Sequence, residues 1–198
     1  MMAGRLRITG GAWKGRVLRA PAGSMCRPTL ARVREALFSR LGVRVAGARV
    51  VDLFAGSGAL GLEALSRGAT RAVFVENAPA ALAVLRENLD AMGVGPRAEV
   101  LACDARAFLA GGVGPAVPVD LLLADPPYGA WNETWAPRLA DGRGLCWAER
   151  ALRVIETTRR EPAPTVAPGW RRWPERCYGE TRVTIDEQEG TDAAGAGT

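Results

Sequence analysis

Asp125, Pro126, Pro127 and Tyr128 follow the apolar run LLLA (121–124). A carboxylate, two residues without a backbone N–H and an aromatic ring suit one kind of chemistry, the alkylation of an amine on a planar base. The lone pair of such an amine is delocalised into the ring, which makes it a poor nucleophile. Two acceptors at its two N–H groups hold the nitrogen, favour pyramidal geometry and gain strength as positive charge grows there. That is preferential stabilisation of a transition state. The Asp125 carboxylate is one acceptor and the Pro126 carbonyl a natural second. The prolines stiffen the turn, and Tyr128 offers a face for base stacking worth about 1–3 kcal/mol. The bland alternative is a plain strand-to-loop turn, so the rest of the chain must supply a donor.

The donor signal is VVDLFAGSGALG (50–61). GxGxxG between a strand and a helix suggests a dinucleotide, with Glu76 at a suitable distance to take ribose hydroxyls. Asp52 argues otherwise. A pyrophosphate seeks the positive end of a helix, and a carboxylate just before the loop repels it. S-adenosylmethionine has no phosphate and carries an ammonium and a sulfonium, both attracted to Asp52. Glu76 then holds the ribose diol, and Asp104 accepts from the adenine amine. The expected donor site is Asp52, Phe54, Gly56, Ser57, Gly58, Glu76, Asn77, Asp104 and Ala105. A structural carboxylate is the alternative for each acid singly, and improbable for all three.

These residues need a scaffold that brings them to one edge. Thr29 can cap a helix to about Leu41, with Leu30, Val33, Leu37 and Leu41 on one face. Short apolar runs at 48–54, 71–76, 98–104, 119–125 and 151–158 read as buried strands. Helices are expected after the glycine loop to Gly68, from an Asn77 cap to Gly93, briefly after Asp104, and over 133–140. WRRWPERCY and ETRVTIDEQ read as a closing antiparallel hairpin about Gly179. Residues 5–28 read as short extended pieces and turns, and 111–118 as a flexible connection. Alternating strands and helices imply a mostly parallel α/β sheet with helices on both faces. Ligands bind such sheets beyond the carboxyl ends of the strands, where Glu76, Asp104, Asp125 and the glycine loop fall.

The 198 residues contain no histidine, which excludes histidine-assisted nucleophiles and the common histidine metal ligands; no metal is expected. Cys26, Cys103, Cys146 and Cys177 form no CxxC pair and read as reduced thiols. No apolar run reaches the length of a membrane span, and no signal segment is evident, so a cytoplasmic protein without a membrane partner is expected. Net charge is +5, yet residues 1–34 hold eight basic residues and no acid. Arginine in place of lysine fits a GC-rich genome, but the missing acids do not. A polyanion partner is the simplest reading, against the alternative of a solvated basic tail. Its contacts are expected from Arg5, Arg7, Lys14, Arg16, Arg27, Arg32 and Arg34. No apolar interface stands out, so a monomer is expected.

VVDLFAGSGALGLEALSRGA, the VFVE strand end and LLLADPPYG together resemble class I methyltransferases that modify exocyclic amines of nucleobases. RITGGAWKGRVL followed by RPTLARVREALF more specifically resembles the RsmD-type bacterial 16S rRNA guanine-N2 methyltransferases, over about residues 5–186. The resemblance implies a seven-stranded Rossmann-like sheet with S-adenosylmethionine as donor. The implied acceptor is the N2 amine of a guanine in 16S rRNA of the small ribosomal subunit or an assembly intermediate. Residues 1–41 then form a basic N-terminal extension, 42–186 the methyltransferase domain and 187–198 a disordered tail. Little chain remains for separate target recognition, so the substrate is expected to be a pre-shaped ribonucleoprotein surface. Two alternatives stay open: an adenine-N6 methyltransferase on RNA or DNA, and a non-catalytic RNA-binding assembly factor.

Overall fold

The computed structural model describes residues 6–21, 28–111, 118–127, 139 and 145–190. Strands β1 (Arg49–Leu53), β2 (Arg71–Glu76), β3 (Ala98–Ala102), β4 (Val119–Ala124) and β5 (Trp147–Thr158) are joined in parallel. β8 (Thr181–Gln188) pairs antiparallel with β5, and β6 (Trp170–Arg172) and β7 (Arg176–Tyr178) both pair with β8. The order is β3-β2-β1-β4-β5-β8-β6. Since β5 takes one edge of β8, β6 and β7 share the other as two halves of one interrupted strand. The expected closing hairpin is therefore broken in the middle, at Trp173-Pro174-Glu175. Pro174 has no N–H to give a ladder. Seven strand positions are filled by eight strands.

Helices α1 (Pro28–Leu41), α2 (Ala59–Ser66), α3 (Pro79–Met92) and α4 (Ala105–Leu109) cover the sheet. α1 begins one residue before Thr29, so Thr29 lies inside the helix and Pro28 takes its first position, where a missing N–H costs nothing. The cap of α3 is Ala78 with Pro79 following, not Asn77. The chain leaves α3 through Gly93 at φ 65°, a left-handed conformation that glycine adopts without strain. β5 starts four residues before the expected 151. β8 runs to Gln188, two residues into the segment expected to be a tail.

Side chains alternate along each strand and sort into two cores. Val50, Phe74, Leu121, Leu123, Leu152 and Val154 point to one face, with Leu62, Leu65, Leu85 and Leu89 of α2 and α3. Val51, Leu53, Val73, Val75, Leu122, Ala124 and Ile155 point to the other, against Phe108 and Leu109 of α4. The first core also takes Ile8, Leu18, Val33, Leu37, Phe38 and Leu41. The N-terminal segment thus shares its core with the sheet, and packing shows no break at the 41/42 boundary. Arg7 and Val17 bridge antiparallel around the Gly11–Trp13 turn.

What fastens this segment is Glu63 of α2, fully buried. Its carboxylate accepts from Thr9 N at 2.8 Å, Thr9 Oγ1 at 2.7 Å, Arg67 Nε at 2.8 Å and Arg34 Nε at 3.2 Å. Nearby, Ser66 Oγ accepts from Trp13 N and donates to the Gly10 carbonyl. Asn88 of α3 exchanges hydrogen bonds with the backbone of Arg19 and also donates to the Ser57 carbonyl of the glycine loop. A buried charge stripped of its partner is costly. Glu63→Gln keeps the volume but removes the charge facing Arg34 and Arg67. A loss of about 3 kcal/mol is expected, a Tm drop on the order of 10 °C, with earlier proteolytic cleavage in residues 6–21. Calorimetry and limited proteolysis measure both.

Candidate active site

The strand register explains why the acids converge. Asp52 pairs with Phe74 on one side and Leu123 on the other, and Leu123 pairs with Val154. These four residues form one row on one face. Two residues further along three of those strands, on the same face, come Glu76, Asp125 and Glu156. The strand order reverses between β1 and β4, the place where open sheets of this type bind ligands.

Two cavities lie along this rim and meet at Phe54. The larger, about 260 Å³, is walled by Asp52, Phe54, Gly56, Ser57, Asp125 and Glu156, with Leu6, Ala20, Pro21 and Arg34 of the N-terminal segment opposite. The smaller, about 180 Å³, is walled by Phe54, Glu76, Asn77, Asp104, Ala105 and Pro127. Phe54 takes φ 65° although it is not glycine, a conformation that costs on the order of 1–3 kcal/mol and persists where surrounding structure fixes it. Its neighbours do so: Ala55 N donates to Val75 O at 3.0 Å, and Gly58 N to Ala55 O at 2.7 Å.

Each acid has a distinct setting. Asp52 is buried, and its Oδ2 accepts from Gly61 N at 2.8 Å. Burial, with Asp125 and Glu76 nearby, pushes its pKa up to about 8 against the help of that hydrogen bond. Glu76 ties the loop to α3: Oε2 accepts from Gly56 N at 2.8 Å, and Oε1 from Asn77 N at 2.9 Å and Ala78 N at 2.8 Å. Asp104 caps α4 through Arg106 N and pairs with the Arg106 guanidinium, which holds its pKa below the usual range. Asn77 Nδ2 donates to Asp104 at 3.3 Å. Asp125 is open to the crevice on one side and surrounded by protein elsewhere; desolvation lifts its pKa to about 6. No described residue hydrogen-bonds its carboxylate.

Most expected site residues therefore meet at one rim, with differences. Gly58 lines neither cavity; it is buried, with φ 79° and a Leu85 methyl 2.5 Å from where a Cβ would sit. Pro126 is buried below the crevice, and Pro127 lines the smaller cavity. Arg34 is corrected: it is 4% exposed, bonded to Glu63 and the Arg7 carbonyl, and faces the larger cavity, not an outer RNA-binding surface. Arg7, Lys14, Arg16 and Arg32 are exposed. Arg5, Arg27, Tyr128 and most of 130–144 lie outside the described residues, as do 112–117 and 191–198. Glu156 was not singled out from sequence. In ALRVIETT (151–158) it sits inside a strand, and only the β4–β5 register shows that it follows Asp125 across the sheet.

The raised acids set a pH dependence. An acid whose pKa is higher folded than unfolded keeps its proton longer in the folded state. Its contribution favours folding at low pH and is lost as pH rises through the folded value. Asp125 at about 6 and Asp52 at about 8 place that loss between about pH 5 and pH 8. Glu187, held at about 2 by Arg44, Trp173 and Arg150, works in the opposite sense and only at lower pH. No histidine titrates in the interval. The Tm of the free protein is expected to fall from about pH 5 to about pH 8, and Asp52→Asn to flatten the upper part of that fall.

The arrangement has counterparts among known proteins. The family model described as Conserved hypothetical protein 95 matches residues 6–187. Ribosomal RNA small subunit methyltransferase D of Escherichia coli strain K12 is 37% identical over 189 residues, which are 94% of this chain and 92% of that relative. The solved structure of YhhF from Escherichia coli aligns over 95% of this chain and all of its own (100%), with 36% identity and a TM-score of 0.81. SMU.776 complexed with SAH shares the fold at TM-score 0.65 and 15% identity, over 80% of this chain and 49% of that one. With its Rossmann-like sheet, its acid-lined rim and this match across nearly its whole length, the chain belongs to the RsmD family, that of Conserved hypothetical protein 95.

Proposed function

We propose that this protein transfers a methyl group from S-adenosylmethionine to the exocyclic N2 amine of a guanine in 16S rRNA, within the small ribosomal subunit or its assembly intermediate. Family membership and the relative named Ribosomal RNA small subunit methyltransferase D support small-subunit rRNA methylation. The observation that carries the reading is the acid rim itself. Asp52, Asp125 and Glu156 face one cavity, opposed among the described residues by a single arginine that Glu63 already engages. Such a site favours a cationic donor and disfavours a pyrophosphate. The two cavities suit the two ends of that donor, with Glu76, Asp104 and Ala105 toward the nucleoside and Gly56, Ser57 and Asp52 toward the methionine.

S-adenosylmethionine, when bound, supplies an electrophilic methyl group on sulfur. The chain's own residues do the rest. Asp125 and the Pro126 carbonyl accept the two amine protons and aim the nitrogen lone pair. Transfer of that methyl to the held amine would leave the S–C bonding pair with the donor and build positive charge on the nitrogen. Asp125 stabilises that charge and, with a pKa of about 6, receives the proton of the methylated amine. The buried Pro126 holds the turn. Tyr128 supplies a stacking face for the base. Glu76 orients the ribose while it braces the glycine loop.

The N-terminal segment gives this site its acceptor side. Leu6, Ala20 and Pro21 wall the larger cavity, while Arg7, Lys14, Arg16 and Arg32 remain on the surface for phosphates. Phosphate contacts position a substrate without reading its sequence, which fits a folded ribonucleoprotein surface better than a short naked RNA. Asp125→Asn is expected to lower kcat about 10²–10³-fold while binding of S-adenosylhomocysteine is kept. Labelled-methyl transfer to unmodified small subunits, followed by nucleoside digestion, is the test. A product other than N2-methylguanosine, or full turnover by the variant, would overturn the reading.

A further inference from the structure

We infer that Glu156 reads the N1–H of the target guanine, so that guanine is selected over adenine by a pair of adjacent carboxylates and not by Asp125 alone. This rests on the proposed guanine-N2 reaction. Ala124 pairs with Ile155, so Asp125 and Glu156 follow side by side at the ends of neighbouring parallel strands, about 4.8 Å apart by sheet spacing. Both line the same cavity. Glu156 is 7% exposed, and no described residue gives its carboxylate a hydrogen bond. Its carboxylate opens to the cavity it lines, so its acceptor capacity is available to a ligand that brings a donor.

Guanine supplies it. Its N1–H and its N2 amine are neighbouring donors on one edge of the base. Adenine presents a bare lone pair at N1, which faces a carboxylate unfavourably. With the amine held by Asp125 and Pro126, the next acceptor along the rim is Glu156. Burial and the charges of Asp125 and Asp52 push the Glu156 pKa well up, while Arg34 draws it down. A cationic donor in this cavity would favour the ionised, purely accepting form. A metal site is not the better reading: among the described residues no three acidic or thiol groups are spaced to hold a metal ion.

The test uses the full-length protein and small subunits carrying guanine or 2-aminopurine at the modified position. 2-Aminopurine keeps the 2-amine but has an acceptor at N1. The wild-type protein is expected to prefer guanine by about 10–100-fold in kcat/KM. Glu156→Gln, which can either donate or accept, should bring that ratio near one, and Glu156→Ala should also lower it, by slowing guanine while leaving 2-aminopurine little changed. A wild-type ratio near one overturns the inference without any variant. A glutamine variant that keeps the wild-type ratio also overturns it. If that variant instead weakens S-adenosylhomocysteine binding with the ratio intact, Glu156 serves the donor. N2-methylguanosine as the wild-type product keeps the proposed reaction standing in each of these cases, whereas its absence sinks that reaction itself.

Discussion

Like charge held close in a poorly solvated crevice is the constraint around which this structure is organised. Asp52, Glu76, Asp125 and Glu156 share one face because parallel pairing aligns their strands and side chains repeat every second residue. Water would normally screen them. Here Asp52 and Glu156 are buried, and the raised pKa values of Asp52, Asp125 and Glu156 record the unfavourable energy of keeping them charged. Such a site is held at a cost to stability and is relieved by a ligand that brings positive charge. The same cost makes it selective against a ligand that would bring negative charge, such as a pyrophosphate, into the crevice.

The opposing force is the anchoring of the N-terminal segment. Glu63 draws Thr9, Arg34 and Arg67 together, while Ile8 and Leu18 enter the main core. One buried carboxylate on α2 therefore positions the far wall of the cavity and fixes the arginine that faces Glu156. The basic segment is part of the crevice itself, because Leu6, Ala20 and Pro21 wall the larger cavity. The densest positive charge of the chain and one wall of the cavity reside in the same stretch of chain.

Local signals in the sequence were enough to place the parallel strands, the glycine loop and the acids at strand ends. Short apolar runs, glycines at turns and carboxylates after hydrophobic residues are one-dimensional patterns. What escaped depends on register and on tertiary partners. Glu156 reads as an ordinary strand residue until β5 is laid beside β4. Arg34 looks like one more member of a basic run until the helix turns it toward Glu63. Asn77 has the right chemistry for a helix cap, but Pro79 already fixes the first turn of α3 and Ala78 takes the cap position. The division of one edge strand into β6 and β7 was likewise hidden, because a hairpin pattern does not reveal that a proline falls where the ladder would continue.

That division has a consequence for the fate of the molecule in a crowded cell. A sheet that ends in a long, flat strand offers its unpaired backbone to any other extended chain. Here the outer border beyond β8 is cut into two three-residue pieces by Trp173-Pro174-Glu175, and Arg171, Arg172 and Arg176 stud it with charge. A second molecule cannot extend the hydrogen-bond ladder across the gap. The break that spoils the regular hairpin thus protects the protein against stacking edge to edge into aggregates.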